Sequence, residues 1–442
     1  MKVPQRLKGF NDFFIEDMKI REYVIDIFKE IYEKYGYEPL ETPALEFTEL
    51  MLGQSGEEAE KLYYRFNDQG GRDVMLKYEV MISMCRALSQ NINNIVFPYK
   101  RYQIQSVWRA ENVQKGRYRE FTQCDADIIG SSSVYCDAEI IQMGVEIVKK
   151  LGFKEFKARI NNRKFLEGLA EYLKIDKDKF YGFSMSIDKL EKIGIDAVIE
   201  EMVEKRGIES SVAQEAMNLI TSTQGWSFND KLGKYYDTVG SNLIGKEGLD
   251  ELKQINEFLE SAGVEAQYYE FDTSIARGLA SYTGPVWEFT VIEGGVGSIS
   301  GAGRYDNAIE KYIGKKLPAT GGSFGIERVC DILKARNMIK ETKTVVSCMI
   351  ANFDENLMKE YIKVGSMLRN ANINTMIFPD AVKLEKQFKY ADKKNIKYVL
   401  LMGENESKEN KVTLRNMLTG EQKLYNIEET IKVLIDDSSD NI

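Results

Sequence analysis

The chain has 442 residues, enough for two or three domains each with its own core. A 43% hydrophobic and 29% charged composition suits a globular protein, and no run of about 18 uncharged apolar residues appears, so no membrane span is expected. The net charge of −9 argues against coating nucleic acid by bulk charge, and the complete absence of histidine excludes Ser-His-Asp triads, Cys-His dyads and His-ligated zinc.

The opening "MKVPQRLKGFNDF" has no apolar core of a secretory leader, so a cytoplasmic protein is expected. Ile20, Val24, Ile27 and Ile31 recur at helical spacing through "MKIREYVIDIFKEIYEKYG", and Gly36 is a suitable C-terminal stop. The next stretch, "YEPLETPALE", carries Pro39 and Pro43 and reads as extended chain at an edge or interface. "RYQIQSVWRAE" and "REFTQCDADIIG" alternate on either side of "NVQKGRY", with Gly116 at the turn, which predicts a strand–long loop–strand hairpin. Residues 164–262 turn helical and charged, as an inserted helical subdomain would. Strand signals return in "AQYYEFDTSIARGLASYTGPVWEFTVI". "GGVGSISGAGRYDNAI" and "LPATGGSFGIERVCDIL" then give a glycine-dense turn, a strand and a helix.

A second domain is expected over 343–435. "TVVSCMIANF", "INTMIFPD", "IKYVLLMGEN" and "KVTLRNML" read as strands separated by two helices, an α/β pattern. The tail 436–442 is expected to be disordered. The five cysteines (Cys85, Cys124, Cys136, Cys330, Cys348) form no C-x-x-C pair, so neither a zinc ribbon nor a disulfide framework is supported.

The hairpin holds the densest chemistry. Period two places Arg101, Gln103, Gln105 and Arg109 on one face of its first strand, and Phe121, Gln123, Asp125 and Asp127 on one face of the second. Such a face is either a solvated antiparallel sheet or the floor of a cleft for a charged ligand. Lys115, Arg117 and Arg119 in the loop lie within reach of an anion over that floor, and guanidinium groups match phosphate oxygens in pairs. Phe121 could lie against a flat heteroaromatic ring. Glycines in "TGGSFGIER" allow close approach of a ligand to the backbone.

These pieces occur in a telling order: a long helix ending in a proline strand, then "WRAE…GRYREF", then "GSFGIER". The order resembles motifs 1, 2 and 3 of class II aminoacyl-tRNA synthetases. Within that class the chain most resembles histidyl-tRNA synthetases. It carries "QKGRYREFTQCDADIIG", "GAGRYD", "TGGSFGIER" and "VTLRNMLTGEQ", and "RGLASY" stands where the family has "RGLDYY".

The resemblance implies an α+β chain. A class II catalytic domain on an antiparallel sheet would cover 1–335, with a helical insertion at about 164–262, followed by an anticodon-binding-like α/β domain. It implies histidine activation with ATP and Mg²⁺, transfer to tRNA, and a homodimer paired through the first motif. Arg109 and Arg277 would be catalytic, holding the α-phosphate and, for Arg109, the nearby carboxylate. Glu111 and Phe121 would bind adenine; Arg117 and Arg328 would take the β- and γ-phosphates; Glu327 would help place the metal. Glu79, assisted by Gln123, would bind the α-amino group. Asp127 and Tyr282 would face the imidazole. For tRNA, the candidates are Lys386, Lys389, Lys393, Lys394 and Lys397.

The chain departs from the family where the amino acid would sit. Ala280 and Ser281 replace Asp-Tyr, and Met81 replaces a small hydroxyl residue. Three readings follow: a divergent histidyl-tRNA synthetase with a rebuilt pocket, a paralog that activates another amino acid or loads another acceptor, and a non-catalytic regulator or sensor. Retention of Arg109, Arg117, Arg277 and Arg328 argues against the third.

Overall fold

The structure is a computed structural model that describes residues 3–52, 61–114, 116–276, 282–292, 297–339 and 342–439. The chain forms two compact units, one built from Met1–Asp12 and Ile20–Met338 and the other from Phe13–Lys19 and Ile339–Ile442.

The strands of the first unit are β1 (Glu38–Pro39), β2 (Leu45–Phe47), β3 (Arg65–Asn67), β4 (Asp73–Leu76), β5 (Tyr99–Trp108), β6 (Glu120–Ile129), β7 (Phe156–Asn162), β8 (Tyr269–Phe271), β9 (Pro285–Val291), β10 (Ser300–Arg304) and β11 (Ala319–Gly325). Eight of them form one sheet in the order β1-β5-β6-β11-β10-β9-β7-β8, and β2, β4 and β3 form a small separate sheet. The large sheet is antiparallel from β5 through β7, with a parallel strand at each edge. β1 occupies one edge, where the missing N–H of Pro39 is tolerated.

The helix Ile15–Lys34 covers the sheet with the apolar stripe that its spacing predicts. Phe28 meets Phe324 edge-on at 5.2 Å, and the Tyr32 hydroxyl donates to the Cys124 carbonyl at 3.1 Å. Gly36, at φ 78°, then turns the chain toward β1, a conformation that costs glycine little.

The hairpin β5–β6 sits in mid-sheet because β6 also pairs with β11. Its register sets Arg101 opposite Asp127, Gln103 opposite Asp125 and Gln105 opposite Gln123. The polar face is therefore one surface, and it is buried rather than solvated: Arg101 and Gln103 are both 0% exposed. Across the sheet Gly321 leaves room for this face. A Cβ there would overlap the Asp127 carboxylate and lie 2.8 Å from the Ala126 carbonyl oxygen.

Between the parallel neighbours β7 and β8 runs a helical crossover of Arg163–Tyr172, Phe180–Ile187, Leu190–Arg206, Ser210–Ser222, Phe228–Val239 and Leu243–Ser261. Its first and last helices cross at glycines: a Cβ on Gly168 would run into the Gly245 backbone, with the amide nitrogen at 2.8 Å.

The second unit is a five-stranded sheet of β12 (Cys348–Ile350), β13 (Thr375–Ile377), β14 (Tyr398–Leu401), β15 (Lys411–Asn416) and β16 (Gln422–Asn426), in the order β13-β12-β14-β15-β16. Strand β16 has no counterpart in the sequence reading, because its residues are mostly exposed and carry no apolar alternation. The expected disordered tail 436–442 is corrected over 436–439, and 440–442 lie outside the described residues. The helix Ile427–Ser439 runs through 436–439, and Lys397 Nζ meets Asp437 Oδ2 at 2.6 Å. Asn426 starts this helix by accepting from the Glu429 amide at 2.8 Å, while Glu429 accepts from the Asn426 amide at 3.0 Å, a reciprocal cap. Buried Leu434 then anchors it.

All five cysteines are free thiols; four are buried and Cys330 is half-buried. Among the described residues, no helix is long and apolar enough to cross a membrane.

Candidate active site

A cavity of about 450 Å³ opens over β6, β10 and β11. The β5–β6 loop and the start of the helix Ile326–Ala335 close one end. The start of the helix Val80–Asn91, with Tyr282 and Tyr305, closes the other.

At the first end lie Arg109, Glu111, Arg117, Phe121, Glu327 and Arg328. The Arg109 guanidinium rests over two rings, 4.3 Å from the centre of Tyr78 and 5.1 Å from that of Phe121, and its Nε donates to the Tyr78 carbonyl at 3.2 Å. These contacts orient the side chain without consuming its charge. Arg117 pairs with Glu111: Nη2 donates to Oε1 at 3.1 Å, and Nε donates to Oε2. Two groups with separate expected roles are thus held by each other. Arg328 Nε donates to the Gly116 carbonyl at 3.3 Å and Nη1 to the Ser298 carbonyl, tying the hairpin turn to the helix.

Arg119 does not line the cavity. Its Nε donates to the Glu111 carbonyl at 3.1 Å, and its stem covers Gly9. Glu327 lines the cavity but is largely engaged. Both its oxygens accept from the Thr122 amide at 3.0 Å, and Oε1 accepts from Arg21 Nη1 at 2.8 Å. Burial raises its carboxyl above the usual range, against the pull of Arg21.

At the second end lie Glu79, Met81, Gln123, Asp127 and Tyr282. Arg277, Ser281, Ala280 and Lys115 lie outside the described residues. Asp127 is held on both sides: Arg101 Nη2 approaches Oδ2 at 2.6 Å, and the Tyr305 hydroxyl donates to Oδ1. Burial pushes its carboxyl up, while Arg101 and Tyr305 pull it down. Glu79 stands one residue before a helix N-terminus; enclosure raises its carboxyl and Arg109 opposes the rise. Met81 packs against the apolar cluster that includes Tyr282 and Tyr312. Gln123 donates from Nε2 to Ser323 Oγ at 2.9 Å.

Three further residues belong here. Asp125 and Tyr305 line the cavity, and Arg101 backs it. Burial first, then the charges of Asp127 and Glu79, push the Asp125 carboxyl up to about 7, against Arg101 and Ser323. Its place on the Gln123–Asp127 face was the available signal. For Tyr305 the signal was only the tyrosine of "GAGRYD", and for Arg101 only a charge on an alternating strand.

In the second unit, two of the candidate tRNA-facing lysines are already paired. Lys389 contacts Glu385 at 2.6 Å in an i,i+4 bridge, and Lys397 holds Asp437.

A mid-sheet hairpin with an arginine loop, a helix-borne arginine beside it and a carboxylate floor together form the catalytic architecture of a class II synthetase. Family models agree: the histidyl-tRNA synthetase model matches residues 9–329 and the anticodon binding domain model matches residues 344–437. The chain belongs to the histidyl-tRNA synthetase family. It is 39% identical over 438 residues to the histidine-tRNA ligase of Clostridium tetani, covering 98% of both chains. It is 35% identical over 434 residues to that of Wolinella succinogenes, again covering 98% of both. Among solved structures, the histidyl-tRNA synthetase from Nostoc sp. PCC 7120 superposes with a TM-score of 0.87 at 29% identity, over 99% of this chain and 100% of that one.

Proposed function

We propose that the protein activates histidine with ATP and transfers it to the 3′ end of tRNA, as a cytoplasmic homodimer. The observation that carries this reading is the polarity of the cavity, with Arg109, Arg117 and Arg328 where the loop and helix meet and Asp125 and Asp127 over the strands.

In the first step a carboxylate oxygen of the amino acid attacks the α-phosphorus of ATP. A new O–P bond forms, and pyrophosphate leaves with the electrons of the broken one. Two anions must approach, so fixed cations lower the barrier most. Arg109 and Arg277 take that role, and Arg117 and Arg328 hold the β- and γ-phosphates. Phe121 stacks on adenine and Glu111 accepts from it. At the other end Glu79 and Gln123 seat the ammonium, and Asp127 and Tyr282 face the ring, with Met81 beside them. In the second step the tRNA hydroxyl attacks the carbonyl carbon and AMP departs. The adenylate phosphate accepts the proton, since the chain has no histidine to do so.

Mg²⁺ takes hard oxygen donors and only one or two carboxylates. Glu327 fits that donor type, and its Oε2 receives fewer hydrogen bonds than Oε1. Glu327 would hold the ion, which supplies charge neutralisation to the phosphates. A second copy would pair along the β1 side. The lysines of the helix Leu384–Lys393 and the turn after it would face tRNA.

Amino-acid-dependent ATP–pyrophosphate exchange across the twenty amino acids tests the reading. Exchange with histidine alone, lost in Arg277→Ala, is expected. Exchange with a different amino acid would assign the chain to a paralog with another substrate, and no exchange with any would leave a sensor.

A further inference from the structure

The amino-acid end of the cavity offers more acceptors than histidine activation has so far used. Gln123 spends its amide nitrogen on Ser323, and its Oε1 is buried with no hydrogen-bond partner among the described residues. Asp125 Oδ1 is buried and without a partner in the same way. The two residues are neighbours on one strand face, and both line the cavity with Glu79. Buried acceptors are normally satisfied, so two adjacent open ones point to a ligand that donates. The Met81 side chain, which also lines the cavity, has no donor to offer them and packs against an apolar cluster.

We propose that Asp125 is the third acceptor for the α-ammonium of the amino-acid substrate, completing with Glu79 and Gln123 a seat of one acceptor per N–H. The assignment rests on the reading of the cavity as an amino-acid site.

The charges around Asp125 fit the role. Glu79 faces it from the start of the helix Val80–Asn91, Arg101 from β5, Asp127 from its own strand and Ser323 from β11, with Tyr282 and Tyr32 nearby. Arg101 is matched to Asp127 and Arg109 acts on Glu79, while Asp127 and Glu79 both push the Asp125 carboxyl up. A bound ammonium relieves that repulsion. With its carboxyl near 7 in the empty site, Asp125 is partly protonated at neutral pH, and the arriving cation displaces that proton.

The test compares two ligands in Asp125→Asn. Histidinol keeps the ammonium, whereas 3-(imidazol-4-yl)propionate lacks it. The histidine KM and the histidinol Ki should rise roughly 10–100-fold, as for loss of a charged hydrogen bond. The propionate Ki and the ATP KM should stay unchanged. Equal weakening of both ligands, or of neither, overturns the proposal and leaves Asp125 as a partner of Arg101. Should the variant not fold, the wild-type protein decides the matter by calorimetry in buffers of different ionisation enthalpy. Histidinol should release more protons on binding than the propionate, and equal release overturns the assignment. Absence of histidine-dependent exchange in the wild type is a separate result, which removes the amino-acid reading itself.

Discussion

The two ends of the cavity differ in charge and in how they hold it. At the proposed nucleotide end the charges ride on a loop and a helix start, and Arg117 is 49% exposed with Glu111 as its partner. At the amino-acid end they ride on paired strands, and Arg101 and Asp127 are 0% and 4% exposed. Water decides the consequence. A half-solvated pair is worth little and exchanges partners easily, which suits a group that meets ATP and releases pyrophosphate. A dry pair is held in one geometry by its burial, which suits a wall that must discriminate between side chains.

The sharpest test of that contrast removes one member of the dry pair. Arg101→Met should lower the unfolding free energy by about 3–5 kcal/mol, because the Asp127 carboxylate stays behind without its counter-charge. The urea midpoint reports it. Adding Asp127→Leu should restore part of the loss, since no buried charge then remains. If the double variant were as unstable as the single one, the pair would not be the source. Gly321→Ala perturbs the same carboxylate sterically, because the new Cβ would overlap it. A cost of about 1–3 kcal/mol is expected, with the histidine KM raised and the ATP KM unchanged. An equal rise in both constants would mean that the two ends are not separable.

Asp125 sharpens the comparison through pH. Its folded carboxyl titrates near 7, above the ordinary carboxylate value, so the folded state binds the proton more tightly than the unfolded chain. Its contribution is therefore fully present below the unfolded value and is lost as pH rises through the folded one. Between about pH 5 and pH 7 the substrate-free protein should lose stability by up to about 1.4 kcal/mol per pH unit from this group. Asp125→Asn should flatten that slope, as read from unfolding at the two pH values. Asp137, raised to about 6 beside Arg304, leaves a residual slope of the same sign.

What the sequence made legible follows the same division. Period two assigned Gln123, Asp125 and Asp127 to one face, because a strand's alternation is local and survives in one dimension. The loop arginines were legible as a cluster. The partners were not: Arg21 lies 306 residues from Glu327, and Tyr305 lies 178 from Asp127. Contacts across such separations depend on strand order, which no local pattern encodes. Exposure was equally hidden. The polar face read as either solvated or a cleft floor, and only the burial of Arg101, Gln103, Asp125 and Asp127 beneath a cavity decides for the floor. Helix Ile427–Ser439 was missed for the opposite reason: an acidic, serine-bearing end looks like a tail until the cap at Asn426 and the Lys397–Asp437 pair are seen.

The smallest stability change is expected where the function is expected to suffer. Arg117→Ala deletes a pair whose arginine is half in water, so the urea midpoint should correspond to a loss of no more than about 1 kcal/mol. Pyrophosphate exchange should nevertheless fall by about 100-fold, since a fixed cation is removed from the phosphates. The space vacated by Arg117 admits water to the Glu111 carboxylate, which is itself only 11% exposed beside its partner. If the loss were instead mainly in stability, the Arg117–Glu111 pair would be a brace for the hairpin rather than a resting state of the nucleotide site. The nucleotide and amino-acid ends would then hold their charges by the same means.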